Sequence, residues 1–408
     1  MKRSVLLIDM QSFYCGVEKV RQSGLDDKPI VVAGDPERRS GVILAACPIA
    51  KTYGVETAEA LWQAQAKCQD LVVIKPSMQL YIDISVQITR LLYDYSDRVE
   101  PFSVDEFFVE LTGTVHQHDP EQAARRIQKH IYRSFGVYGR VGIGENKMLS
   151  KLACDNMAKK NESGIFTLHR DCLEQDLWPL PIDKLFGVGK RMEKHFRQMG
   201  IRTIGQLAKF PLEELQYRWG INGEVLYQSA HGIDYAPVTP DTHQERKAIG
   251  HSMTLPRDYR SWDEIKVVLR ELAEEVAYRV RQNGVLGETV HVGVRHFDGE
   301  VSLGFSNQQK LEQSTNDGKV IFDAAVALFQ KHWKGYPIRS IGVSLDKLHE
   351  AQYRQLNLFG ETPDREELNK ALDDMNKKYG KASVFYASSL TEAGQAKERA
   401  AKIGGHYK

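Results

Sequence analysis

Phe102-Ser103-Val104-Asp105-Glu106-Phe107-Phe108-Val109-Glu110-Leu111 is the stretch from which the fold is read. Two carboxylates, Asp105 and Glu106, interrupt a run that is otherwise apolar and aromatic. An ionised carboxylate buried without a partner is costly or becomes neutral, so something positive must meet this pair. Adjacent side chains on a regular strand point to opposite faces. The two acids therefore act together only at a turn or bulge, between a strand at 99–103 and one at 106–111. A divalent cation is the most economical partner. Solvated acids at a hairpin tip are the plainer alternative, and the start of the chain weighs against it.

Ser4-Val5-Leu6-Leu7-Ile8 is a continuous apolar run of strand length that ends in Asp9, the pattern of a buried central strand. The spacing after it predicts a helix from Gln11-Ser12-Phe13-Tyr14 onward. An insertion over 28–76 follows, with apolar strands at 29–33 and 41–46, a basic turn at Arg38 and Arg39, and a short helix at 61–68. Leu80, Ile84, Ile88, Leu91 and Leu92 then recur at helical spacing over 78–95. A second amphipathic helix at 120–135, a strand at 138–144 and a helix at 146–160 complete the pattern. The order β-α-β-β-α-β, with a large insertion after the first strand, is ferredoxin-like. It brings Asp9 and the Asp105-Glu106 turn onto adjacent central strands, where three carboxylates converge. Such convergence fits a two-metal site, in which cations about 3.5 to 4 Å apart hold the attacking and leaving oxygens of a phosphoryl or nucleotidyl transfer. Phosphates and waters must complete the octahedra of Mg²⁺, so the substrate must carry phosphate.

The length of 408 residues leaves room for two to four domains. An apolar fraction of 42% and a charged fraction of 27% are those of an ordinary water-soluble chain. The net charge of +1 neither favours nor excludes nucleic acid, because local patches decide binding to phosphates. Cys15, Cys47, Cys68, Cys154 and Cys172 show no CxxC and no zinc-like spacing, and read as reduced thiols. Neither a leader nor an apolar run of spanning length is seen, so a cytoplasmic place is expected, away from membranes.

Downstream, Phe186-Gly187-Val188-Gly189-Lys190-Arg191 leads into a helix, and Gly200-Ile201-Arg202-Thr203-Ile204-Gly205 opens another. This has the form of a helix-hairpin-helix. Gly187 and Gly189 free the backbone to turn, so that N–H groups at a helix N-terminus face a phosphate. Lys190, Arg191, Lys194, Arg197 and Arg202 add sequence-independent, salt-sensitive grip. Residues 235–245, with Pro237 and Pro240, read as a linker. Another β-α-β-β-α-β pattern follows over 248–346.

These residues resemble the Y-family (translesion) DNA polymerases, most nearly the UmuC-like bacterial branch, over residues 1–360. The resemblance is carried by Ile8-Asp9-Met10-Gln11-Ser12-Phe13-Tyr14, Ala50-Lys51-Thr52-Tyr53-Gly54-Val55 and Ser103-Val104-Asp105-Glu106. Gly142-Ile143-Gly144 with Lys147-Met148-Leu149-Ser150-Lys151-Leu152-Ala153 adds a fourth motif. It implies an α+β, multidomain chain with a ferredoxin-like (βαββαβ) palm at 1–10 and 77–167 and inserted fingers at 11–76. A helical, helix-hairpin-helix thumb at 168–235 and a linker at 236–246 would follow. A second βαββαβ unit, the little-finger domain, would span 247–350, then a clamp-binding peptide at 351–360 and a tail at 361–408 of unassigned role.

By the same resemblance Asp9, Asp105 and Glu106 are the catalytic, metal-binding carboxylates. The backbone carbonyl of Met10 completes the shell of one of two Mg²⁺ ions, for which Mn²⁺ substitutes. Tyr14 is implied as the steric gate that rejects a 2′-hydroxyl, and Lys51, Lys159 and Lys160 as nucleotide-binding groups meeting the triphosphate. Gly187, Gly189, Lys190, Arg191, Arg246, Lys247, Arg257 and Arg295 are implied as DNA contacts. Three departures stand out. Gln11 replaces a frequent second acid, Pro48 a common tyrosine, and Lys51 a usual arginine with its bidentate fork.

Gln355, Leu356, Leu358 and Phe359 form a short apolar anchor that would be a liability if left exposed. It is similar to the peptide by which bacterial DNA polymerases hold the sliding clamp, whose apolar side chains act as hot spots worth roughly 2 kcal/mol or more each. Tethering to a ring on DNA raises effective concentration. The expected function is template-directed addition of dNTPs to a primer 3′-hydroxyl by two-metal nucleotidyl transfer. It would proceed without proofreading, in SOS-like DNA damage tolerance and repair. Expected partners are primer-template DNA, dNTP and the sliding clamp, with the chain a monomer open to accessory subunits. The alternative is a non-catalytic, clamp-associated DNA-binding repair factor.

Overall fold

The opening apolar run forms β1 (Val5–Met10), every residue of it buried. Ser12, in a left-handed conformation (φ 49°), turns the chain into α1 (Phe13–Arg21). The computed structural model describes residues 3–35, 41–240, 246–297, 302–352 and 365–408. The insertion follows as β2 (Ile30–Ala33), β3 (Ile43–Ala46), α2 (Pro48–Thr52), α3 (Leu61–Lys67) and β4 (Val72–Ile74). Its sheet has the order β3-β2-β4, with β2 parallel to β4.

The palm continues with α4 (Met78–Leu92), β5 (Val99–Pro101), β6 (Glu106–Glu110), α5 (Pro120–Phe135), β7 (Gly139–Gly144), α6 (Lys147–Asn156) and β8 (Ile165–Thr167). Its five strands have the order β5-β6-β1-β7-β8. The ferredoxin-like pattern is as expected; the short edge strand β8, parallel to β7, is an addition to it.

Strand alternation divides β1 between two cores. Leu6, Ile8 and Met10 pack with Phe107, Val109 and the apolar stripes of α4 and α5, including Ile88, Leu92, Ile127 and Ile131. Val5 and Leu7 pack with Phe108 and with Cys154 of α6 on the opposite face. Asp9 shares the second face and pairs in register with Glu106. A slip of one residue would drive its carboxylate under α4 and α5, where nothing compensates a charge.

Helix α6 reaches this face through glycine. A Cβ on Gly142 would lie 2.0 Å from the Ser150 carbonyl oxygen and 2.4 Å from the Cys154 nitrogen. Only a residue without a side chain lets helix and strand come so close. Consequently α6 carries its charged face over the end of β1.

Five helices, α7 (Leu173–Asp176), α8 (Lys190–Gln198), α9 (Ile204–Ala208), α10 (Leu212–Trp219) and α11 (Ile221–Ala230), build the thumb around Leu185, Phe196, Ile204, Leu207 and Leu215. The described part of the predicted linker is not a free tether. Val238 joins the core of Val5, Leu7 and Phe108, and Lys147 bridges Glu100 (2.7 Å) and the Pro237 carbonyl oxygen (3.4 Å). The segment is thus laid along the palm.

The little finger comprises β9 (Ala248–Tyr259), α12 (Trp262–Gln282), β10 (Val285–Phe297), β11 (Ser302–Thr315), α13 (Gly318–His332) and β12 (Ile338–Glu350). Its strands, in the order β11-β10-β12-β9, are antiparallel throughout. Both helices pack into one core with them.

The tail is folded. It comprises α14 (Glu366–Tyr379), α15 (Ala396–Ala400), β13 (Lys402–Ile403) and β14 (His406–Tyr407). This segment docks on α12 and the end of β9. Arg281 grips Asp373 with two hydrogen bonds of 2.7 Å, the Gln395 N–H donates to Glu271 at 3.0 Å, and the Tyr259 hydroxyl donates to the Ala393 carbonyl at 2.9 Å. Upstream, the Ala351 N–H donates to the Gly284 carbonyl at 2.9 Å. The last hairpin touches the insertion, where the Tyr407 hydroxyl donates to Asp35 at 2.9 Å.

Candidate active site and DNA-binding surfaces

Asp9 and Glu106 face each other across the β1–β6 pair, on the side covered by α6. A third carboxylate, Asp155 of α6, joins them, and one ligand oxygen from each of the three lies within 4.8 Å of the others. The sequence reading did not include Asp155. Asp105 is placed differently. Its backbone carbonyl accepts from the Met10 N–H (2.9 Å), while its carboxylate accepts from the Ser103 hydroxyl (2.7 Å). Its charge bears on the Tyr14 phenol, and its carboxylate stands outside the cluster of three.

Two lysines neutralise part of this charge. Lys159, in a turn (Ala158–Lys160) just past α6, contacts Asp9 and Asp155 at 2.7 Å each. Lys151 contacts Glu106 at 2.5 Å and Asp155 at 3.1 Å. Burial works against both ammonium groups, but the acids around them prevail and hold both above the ordinary lysine value. Asp9 moves the other way for an acid: burial, aided by its hydrogen bond to Glu106 and only partly offset by Lys159, pushes it up to about 7. Burial also raises Asp105, against the Ser103 hydroxyl bond.

Three carboxylates meet two ammonium groups here, which leaves the cluster with a net negative charge when all are ionised. The donor set is oxygen only, the choice of hard divalent cations such as Mg²⁺ and Mn²⁺. The cluster therefore fits a cation.

The Tyr14 ring is stacked on Tyr81 (centroids 4.4 Å apart, planes at 19°), and the Tyr81 hydroxyl donates to the buried Glu18 at 2.7 Å. Burial, then the Asp105 charge, raises the Tyr14 phenol. Lys51 reaches the β1–α1 turn, 3.3 Å from the Ser12 hydroxyl. Lys160 is exposed and takes no part in the ion pairs around Asp9. Gln11 has its own task, accepting from the Arg140 guanidinium at 3.0 and 3.2 Å. Pro48 opens α2 at its first turn, where its missing N–H costs nothing.

In the thumb, Gly187 is left-handed (φ +95°), whereas Gly189 has an ordinary φ of −84° and caps α8. The predicted backbone freedom is used at Gly187 alone. A Cβ on Gly189 would meet nothing within 4 Å, and Lys190 and Arg191 are exposed beside it. The second half is fixed by a capping box of Thr203 and Gln206.

On the little finger, Arg246 (bonded to Asn283 at 2.8 Å) and Lys247 line one groove, together with Lys347 and His349. Arg257 lies toward the other end of β9, paired with Glu264 at 2.6 Å and stacked over the Tyr259 ring. It lies outside the groove that Arg246 and Lys247 line. Arg295 is exposed on β10. The clamp-peptide residues Gln355, Leu356, Leu358 and Phe359 lie outside the described residues.

Comparison with known proteins agrees with this architecture. Residues 8–155 match the model of the impB/mucB/samB family and residues 246–358 that of its C-terminal domain. Residues 183–234 match the thumb domain of DNA polymerase-iota. Among similar proteins are "DNA polymerase IV 2" of Bacillus subtilis (strain 168), 51% identical over 411 residues, and that of Halalkalibacterium halodurans, 47% over 409, each covering 100% of both chains. "Putative UV-damage repair protein UvrX" of Bacillus subtilis is 37% identical, over 99% of this chain and 98% of its own. The solved structure "Y-family DNA polymerase chimera Dbh-Dpo4(243-245)-Dbh" superposes with a TM-score of 0.72. At 23% identity it covers 85% of this chain and 99% of its own, and speaks for the fold. With such identity along its full length, the chain belongs to the bacterial, impB/mucB/samB branch of the Y-family translesion polymerases and is a DNA-directed DNA polymerase.

Proposed function

We propose that this polymerase adds dNTPs to a primer 3′-hydroxyl by two-cation nucleotidyl transfer, without proofreading, in SOS-like DNA damage tolerance. The observation that carries this reading is the facing pair Asp9 and Glu106 with Asp105 at the adjoining turn. Two Mg²⁺ ions, or Mn²⁺ in their place, held by these three acids and the Met10 carbonyl, would activate the primer hydroxyl and neutralise the triphosphate. The remaining roles fall to the chain's own groups. Tyr14, braced by Tyr81, lies under the sugar and leaves no space for a 2′-hydroxyl. Lys159, with Lys51 and Lys160, meets the triphosphate. Gly187, Gly189, Lys190 and Arg191 hold the backbone of the duplex, and Arg246, Lys247, Arg257 and Arg295 add a second grip.

The division into palm, fingers, thumb, linker and little finger follows the boundaries given above, with 365–408 now counted with the little finger. Residues 355–359 take the sliding clamp, and the chain works as a cytoplasmic monomer. Among the described residues no helix is long and apolar enough to cross a membrane. The UV-damage repair named for one relative supports the damage-tolerance part. The non-catalytic alternative falls with membership of a polymerase family.

Primer extension on undamaged and abasic templates tests the reading. Asp105→Ala and Glu106→Ala should each lose extension while keeping primer-template binding. Sustained extension by either variant overturns the cation assignment.

A further inference from the structure

Asp155 stands on α6 four residues after Lys151, one turn along the same face, and four residues before Lys159, which lies in the turn just past the helix. We propose that Asp155 is a positioning residue that retains both ammonium groups at the site while cations occupy Asp9 and Glu106. This rests on the cation assignment just made.

The contacts form one chain of alternating charge: Glu106–Lys151 at 2.5 Å, Lys151–Asp155 at 3.1 Å, Asp155–Lys159 at 2.7 Å and Lys159–Asp9 at 2.7 Å. Each lysine thus has two carboxylate partners, one from the strand pair and one that is Asp155. A cation that claims Asp9 and Glu106 takes the strand partner from each lysine. Asp155 is the partner left to both. Lys151 is only 7% exposed, and an ammonium so buried is strongly destabilising once its last counter-charge is removed. With Asp155 in place, both lysines stay beside the acids, where an incoming triphosphate brings negative charge. The close approach of α6 to Gly142 holds the carboxylate there. Without Asp155, the lysines have only Asp9 and Glu106 to pair with, and a cation must break those pairs unaided.

The test uses the full chain with primer-template DNA. Asp155→Asn should weaken Mn²⁺ binding to the complex, followed by electron paramagnetic resonance without turnover, by about tenfold. It should raise the KM for dNTP by about tenfold with kcat changed less than about threefold, and Asp155→Glu should restore most of both. In a Lys159→Ala background, Asp155→Asn should raise KM by less than it does alone, because one of the two positioned groups is gone. If Asp155→Asn alone unfolds by stranding Lys151, the pair Asp155→Asn with Lys151→Met removes that charge and carries the same expectation. Unchanged Mn²⁺ affinity and KM, a loss confined to kcat, or an undiminished effect on KM in the Lys159→Ala background overturns the proposal. Glu106→Gln is run alongside. Should it lose cation affinity while Asp155→Asn does not, only the positioning role falls; should it keep both affinity and synthesis, the cation assignment itself falls.

Discussion

Tyr14 owes its place to a ring far from it in sequence. Tyr81 of α4 stacks on it, and Tyr81 is in turn anchored on the buried Glu18 carboxylate. A stacked aromatic pair contributes about 0.5–1.5 kcal/mol beyond area burial. In the proposed gate role, Tyr81→Ala leaves the Tyr14 ring free to tilt. Discrimination between dNTP and NTP, measured as the ratio of kcat/KM values, should fall several-fold in Tyr81→Ala and further in Tyr14→Ala. An unchanged ratio in both removes the gate. The sequence offers Tyr14 through its motif but gives no sign of Tyr81, because the contact depends on how α1 and α4 cross.

Among the elements, β1 and β6 were legible, and so was the meeting of Asp9 with Glu106. An apolar run ending in an acid and the βαββαβ order leave few ways to pair the strands. Asp155 was not legible. The spacing of Lys151, Asp155 and Lys159 is plain in the sequence, but charges four apart on a helix ordinarily form a solvated face. What changes their meaning is the depth to which Gly142 admits α6, and that is a property of packing. Gly142→Ala tests it: a Cβ with backbone atoms 2.0 and 2.4 Å away cannot be absorbed by a side-chain rotation. Overpacking costs about 1–3 kcal/mol, so the thermal midpoint should drop by several degrees and extension should fall with it. A stable, fully active Gly142→Ala protein would show that α6 shifts freely. Strand β8 escaped the pattern because three residues carry too little periodicity to register.

For the whole molecule, the tail is the part to which the sequence assigned no role. Its polar composition resembles that of a solvated end, yet two of its charges pair with α12, Asp373 with Arg281 and Arg399 with Glu271. Such complementarity cannot be seen before both partners are folded. His251, on β9 beneath the tail, accepts from Arg279 at 2.9 Å. Burial, then the charges of Arg399 and Arg279 with Lys381 beyond, and against the opposing Glu275, lowers its pKa from 6.5 to about 4. A histidine held neutral contributes stability above its unfolded pKa and loses it as pH falls through the window from about 6.5 to 4. The little finger and tail should therefore melt earlier as pH is lowered from 7 to 4.5, and His251→Gln should flatten that slope. Hydrogen exchange on α12 and α14 across this range reads it out, and a wild-type slope retained in His251→Gln would rule the residue out.

Because Ala351 is tied to Gly284 and Asp373 to Arg281, the span between 352 and 365 is moored to the same body at either shore. A nick anywhere within it would yield two fragments that still travel together through a gel under native conditions and part only in denaturant. Whatever grasps that span is joined at both of its ends to the little finger.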